Sequence, residues 1–131
     1  MTSSSFTQIG SDIDGVAGWE SNNIVSLSAD GSTVAIGVPP DDDLGSGQVK
    51  IFKNVNDTWT QVGGDIDGEA AYDRSGTAVS LSADGSTVAI SAPVNVGNGI
   101  NNGHVRVYKI NNVDPNNIDT TPPDSPSLTN Y

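Results

Sequence analysis

The chain has 131 residues, enough for one ordinary domain, yet only 34% of them are apolar, while Gly, Ser, Asn, Asp and Thr abound. That balance suits short strands joined by many turns and excludes a helical bundle, since no stretch longer than a few residues has helical periodicity. A net charge of −11 with five basic residues excludes nucleic-acid binding through clustered Lys and Arg, and the lack of cysteine excludes disulfides, thiolate metal sites and cysteine nucleophiles.

Met1 to Ser5 lacks a charged region followed by an apolar core, so 1–5 reads as a short extension and no signal peptide is expected in this chain. No later run approaches the roughly 18 apolar residues that span a bilayer. Ser5 to Ile13 is predicted as a strand standing ahead of any partner. Ile24-Val25-Ser26-Leu27-Ser28 alternates apolar with small polar residues, the period of a half-buried strand. Asp30-Gly31 predicts a tight hairpin turn, and Thr33 to Ile36 the return strand, stopped by Pro39. After the loop from Pro40 to Ser46, Gly47 opens a third strand, Gln48 to Lys53. A turn over Asn54 to Asp57 leads to a fourth, Thr58 to Ile66.

From there the sequence repeats itself. Val25 to Ile36, VSLSADGSTVAI, returns letter for letter as Val79 to Ile90. Phe6-Thr7-Gln8-Ile9-Gly10 returns as Trp59-Thr60-Gln61-Val62-Gly63, and Asp12-Ile13-Asp14-Gly15 as Asp65-Ile66-Asp67-Gly68. Gly47 to Lys53 returns as Gly103 to Lys109, the intervening loop running from Val94 to Asn102. The chain is thus two copies, 6–58 and 59–110, of a unit of about 54 residues, a period typical of propellers, solenoids and arrays. Residues 111–131, rich in Asn, Asp, Pro, Ser and Thr, read as an extended linker or tail. The fold expected is all-β, with two four-stranded antiparallel propeller-type blades.

Ser75 to Gly85, then Val88-Ala89-Ile90-Ser91-Ala92-Pro93, then Gly103-His104-Val105-Arg106-Val107-Tyr108 resemble the FG-GAP type of propeller blade. Such blades occur in integrin α-subunits and in many secreted bacterial and algal proteins. The first copy shows the same frame through Val38-Pro39 and Gly47 to Phe52, so the resemblance covers about Phe6 to Ile110. It implies a non-catalytic module for binding or adhesion, to protein or glycan, in a secreted or cell-surface protein. Two departures matter. The family's calcium-binding loop is replaced by a short Ser-Ala-Asp-Gly turn, so its ligands do not carry over, and Asn22-Asn23 and Ser75-Gly76 stand where the family has its aromatic residue. A WD-type propeller fits less well, since no Trp-Asp follows Gly103-His104. Asp119 to Thr129 resembles the junction that precedes immunoglobulin-like repeats in bacterial surface proteins, which implies a longer parent chain.

Among residues that carry chemistry, Asp65, Asp67 and Asp73, matched in the first copy by Asp12, Asp14 and Glu20, are candidate calcium ligands near a turn-permitting glycine. The same pattern suits turn-forming Asp and Gly at a strand end. Asp41-Asp42-Asp43 has no counterpart in the second copy and reads as a solvated loop. His104 is the only histidine, matched by Gln48, so a triad or a histidine metal site has no support. No catalytic residue is expected. Phe6 and Trp59, Trp19 and Tyr72, and Phe52 and Tyr108 are equivalent pairs, which favours packing between repeats over stacking on sugars. Asn56-Asp57-Thr58 matches an N-glycosylation acceptor. The runner-up reading is an architectural spacer with no ligand of its own, and a carboxylate-based hydrolase ranks below it because the two copies lack an asymmetric acid pair.

Two repeats cannot close a propeller, which needs at least about four blades, so the chain is expected to associate or to sit among further blades of a longer protein. The predicted contact joins Ser5 to Ile13 to the third strand of a neighbouring chain's second repeat, closing about three or four chains into a ring.

Overall fold

The structure, a computed structural model, describes residues 5–15, 24–40, 45–93 and 103–111. These form eight strands and no helix: β1 (Ile24–Leu27), β2 (Thr33–Val38), β3 (Gln48–Val55), β4 (Thr58–Gln61), β5 (Ile66–Asp67), β6 (Ala78–Leu81), β7 (Thr87–Ala92) and β8 (His104–Lys109). They build two antiparallel sheets. The first has the order β1-β2-β3-β4, with β5 also paired to β3, and the second is β6-β7-β8. The sequence repeat is mirrored in the registers: Val25 faces Ile36 as Val79 faces Ile90, and Val34 faces Phe52 as Val88 faces Tyr108.

The turns follow from side-chain chemistry. Asp30 accepts hydrogen bonds from the Ser32 amide (3.0 Å), the Ser32 hydroxyl (2.7 Å) and the Ser28 hydroxyl (2.9 Å), while Gly31 takes a φ of 76°. Asp84 does the same with Ser86 and Ser82, and Gly85 takes a φ of 73°. These loops are therefore wider than the tight Asp-Gly hairpin expected, because the aspartate bridges the loop through its side chain. The two-residue hairpin lies instead between β3 and β4, where Asn56 and Asp57 both have positive φ.

The fourth strand of the first sheet is broken. β4 pairs with Phe52 to Val55 and β5 with Gln48 and Val49, on either side of Gly63 at φ 69°. β4 and β5 begin the second sequence repeat yet complete the first sheet, so the sheet frame runs one strand behind the sequence frame. The second sheet has three strands rather than four, and Ser5 to Ile13 forms no strand. The cause is shared: among the described residues β8 has no fourth strand beside it, and 5–13 has no third strand.

The sheets stack face to back. Ala35, Val49, Ile51 and Ile66 of the first sheet meet Val88, Ile90 and Tyr108 of the second, with Val79 and Leu81 packed alongside. The second repeat thus packs its large apolar face inward, with Val88 and Ile90 buried and Val79 and Leu81 half-buried. In the first repeat the same sequence turns that face outward: Val25 is 65% and Leu27 58% exposed, with Val34 and Ile36 half-buried. Alternation alone marks Leu27, Val34 and Ile36 as core residues, and the structure corrects this, with Leu27 exposed and the other two half-buried. The first sheet offers its small-residue face (Ser26, Ala35, Gly37) to its neighbour, and the large side chains of the second sheet fill the space above it. Polar links lock the seam: Ser26 Oγ accepts from the Leu81 amide (2.9 Å), and the Ala29 amide donates to the Ala83 carbonyl (2.8 Å).

Candidate functional site

The carboxylates singled out by sequence scatter. Asp65 accepts from Lys50 Nζ (2.7 Å) and Gln61 Nε2 (2.7 Å). Desolvation pushes its pKa up, but the Lys50 and Gln61 hydrogen bonds and the Lys50 charge outweigh it and hold the carboxyl below its ordinary value. Asp67 sits exposed on β5 opposite Gln48. Asp73 is buried in the turn before β6, where it accepts from the Ala70 amide (3.0 Å) between two residues of positive φ, Tyr72 and Arg74. Asp12 accepts from Gln8 Nε2 (2.8 Å), and Asp14 is exposed. Among the described residues no three His, Cys, Asp or Glu side chains form a group able to hold a metal ion. Asp65 is thus engaged by a cation and an amide, whereas Asp67 is exposed and Asp73 is buried at its turn. Glu20 and Asp41-Asp42-Asp43 lie outside the described residues.

His104 and Arg106 both reach Glu69, which follows β5 of the other sheet; the His104 Nε2 to Glu69 Oε1 distance is 3.5 Å. The Tyr108 hydroxyl, accepting from Arg106 Nη1 at 3.3 Å, is the largest influence raising the Arg106 pKa. This cluster ties β8 to the loop after β5 and encloses about 10 Å³.

A groove does form where the N-terminal segment crosses the β3–β4 hairpin. It measures about 280 Å³ and is lined by Asp12, Asp14 and Asp57, by Phe52 and Trp59, and by Ser11, Ile13 and Thr58. Trp59 Nε1 donates to the Ile9 carbonyl (2.9 Å), which fixes both the indole and the segment. Gly10 makes the crossing possible: at φ 70°, a Cβ there would lie 2.8 Å from the Asp57 carbonyl oxygen and 3.0 Å from Trp59 Cδ1. Opposite, Asn54 Oδ1 accepts from the Asp57 amide (2.8 Å) and stiffens the hairpin tip. Carboxylates that accept hydrogen bonds stand beside aromatic surface, a combination suited to a polyhydroxylated ligand with an apolar face.

The sequence marks Asp12, Asp14, Phe52 and Trp59 separately but not the groove, and it marks Asp57 only as a turn residue and part of the glycosylation motif. Equivalent aromatic positions also proved unequal in burial: Phe6 is 90% exposed where Trp59 is half-buried, and Phe52 is half-buried where Tyr108 is buried. Trp19 lies outside the described residues. Comparison with known proteins brings no match, whether to a family model, a curated protein or a solved structure.

Proposed function

We propose that the chain is a non-catalytic module of two β-propeller-type repeats, of the FG-GAP kind, that binds a neutral glycan at the surface of a cell or in a secreted protein. The observation that carries this reading is the groove, with Trp59 and Phe52 beside Asp12, Asp14 and Asp57. Its carboxylates accept from sugar hydroxyls while the rings cover the C–H face. A net charge of −11 repels anionic glycans, which narrows the ligand to an uncharged one.

Titration of the full chain against neutral oligosaccharides tests the reading. Asp14→Ala, at an exposed position, should weaken binding by about tenfold, or roughly 1.4 kcal/mol, without lowering the melting temperature. Trp59→Ala should weaken it further, though it also releases Ile9. Silence across a neutral glycan panel favours the second reading, an architectural repeat, which the open sheet faces support independently.

A further inference from the structure

The interface between the two sheets is built from repeated sequence, so the same residues recur on the two open faces of the molecule. Inside the chain, Val49 and Ile51 of the first sheet are buried, at 0% and 3% exposure, beneath the large apolar face of the second. Their repeat equivalents, Val105 and Val107, stand on the outer face of the second sheet at 64% and 62% exposure. At the other end, Val25, Leu27, Val34, Ile36 and Phe52 are the equivalents of Val79, Leu81, Val88, Ile90 and Tyr108, which pack in the interface. One open face thus repeats one half of the existing interface, and the other repeats its complement.

The N-terminal segment extends the correspondence to the backbone. Gly10 has a φ of 70° and Gly63 a φ of 69°. Gln8 donates to Asp12 at 2.8 Å, as Gln61 donates to Asp65 at 2.7 Å. Residues 8–12 therefore already hold the shape of the broken fourth strand, without a third strand to pair with. They are also in the right place. Ile13, Asp14 and Gly15 sit over Ile36, Lys50 and Phe52 on the first sheet, as Ile66, Asp67 and Gly68 sit over Ile90, Arg106 and Tyr108 on the second.

We propose that the chain associates head to tail with a second copy of itself: residues 5–14 of one copy add to β8 of the next as its fourth strand, and the first sheet's apolar face stacks on that copy's second sheet. The internal pairs fix the register. Phe52 with Gln61, Val49 with Ile66 and Gln48 with Asp67 become Tyr108 with Gln8, Val105 with Ile13 and His104 with Asp14. Charge agrees, because the Lys50–Asp65 ion pair transfers to Arg106 and Asp12, which sets acidic residues of the arriving segment against the basic residues of β8. The contact is heterologous, so it propagates until a ring closes. It also covers the β8 edge and both apolar faces, which otherwise invite unspecific aggregation.

Cysteine cross-linking of the full chain tests the register, since the native sequence has no cysteine. Ile13→Cys protein mixed with Val105→Cys protein should form a disulfide-linked heterodimer on mild oxidation, because directly opposed residues of adjacent strands lie within disulfide reach. Ile13→Cys mixed with Asp84→Cys, on a remote turn, should form none. Sedimentation should show a concentration-dependent, discrete oligomer, and Val107→Arg, a change at an exposed position, should abolish it while leaving the circular dichroism spectrum unchanged. A wild-type chain that stays monomeric into the high micromolar range overturns the proposal. So does association that persists in Val107→Arg, or that yields no Ile13–Val105 cross-link.

Discussion

Val25–Ile36 and Val79–Ile90 have the same twelve residues, the same register and the same turn, yet they meet their surroundings from opposite sides. In the second repeat the large face (Val79, Leu81, Val88, Ile90) is packed, and in the first the small face (Ser26, Ala35, Gly37) takes that role. A strand's alternation gives it two faces but does not say which one finds a neighbour. When sheets stack face to back, both are used, each by a different neighbour, so a terminal sheet always has one of them uncovered. The burial of an individual residue is then a property of position in the stack and not of local sequence.

The largest consequence falls on truncations. Ile90→Ala should destabilise the chain by about 2–5 kcal/mol, since Ile90 is buried in the interface. Leu27→Ala should stay within about 0.5 kcal/mol at low protein concentration, where Leu27 faces solvent. Urea melts of the two variants check this, with an equal loss at both sites breaking the comparison. At high concentration the Leu27→Ala loss should grow if copies stack, which links this measurement to self-association.

A second difference sits at Gly37 and its equivalent Ser91. A Cβ on Gly37 would collide with the carbonyl oxygen of Gly76, at the entry to the second sheet, so the sheets approach there to backbone contact. Ser91 carries a side chain at the equivalent position, and its Oγ accepts from the Ala78 amide (3.1 Å). Gly37→Ser should therefore cost about 1–3 kcal/mol by forcing the seam open. Ser91→Gly should cost only about 0.5–1 kcal/mol, mainly through backbone entropy. Thermal melts of the pair decide the point, and a tolerated Gly37→Ser would mean that the seam opens at little cost.

The strands at 24–28 and 78–82 and the turn over Asn54 to Asp57 were legible in the sequence because they rest on local chemistry, whereas Ser5 to Ile13, expected as a strand, forms none, and Thr58 to Ile66 is broken. The stacking was not, since nothing within VSLSADGSTVAI distinguishes its two copies. Gly37 opposite Ser91 was the one visible sign that the first repeat's small face is approached closely. The groove escaped for a related reason: it joins Asp12 and Asp14 to Asp57 and Trp59 across the chain, and only the recurrence of Gln8-Ile9-Gly10 as Gln61-Val62-Gly63 hinted that 5–14 behaves as a displaced fourth strand. The ion pair of Asp65 with Lys50 was equally hidden, because the two partners are distant in sequence.

The smallest predicted effect concerns the feature on which the two copies agree. Asp84 is held down to about 2, against an ordinary value of 3.8, first by the Ser86 hydroxyl and amide and then by the Ser82 hydroxyl, and Asp30 is lowered by the equivalent bonds from Ser32 and Ser28. A carboxyl whose pKa is depressed by folding contributes stability that is fully present above the unfolded value and is lost as pH falls through the folded one. The Asp84 turn should therefore weaken as pH drops from about 4 toward about 2, and the Asp30 turn as pH falls below the ordinary carboxyl value. Asp30→Asn and Asp84→Asn keep an acceptor oxygen but cannot gain the proton, so each should flatten the acid limb of a melting temperature against pH profile. Because the bonds lie within the turn, the two flattenings should match, unlike the truncations of the faces. A clear inequality would show that stacking reaches the turns as well, through the Ala29–Ala83 hydrogen bond that joins them.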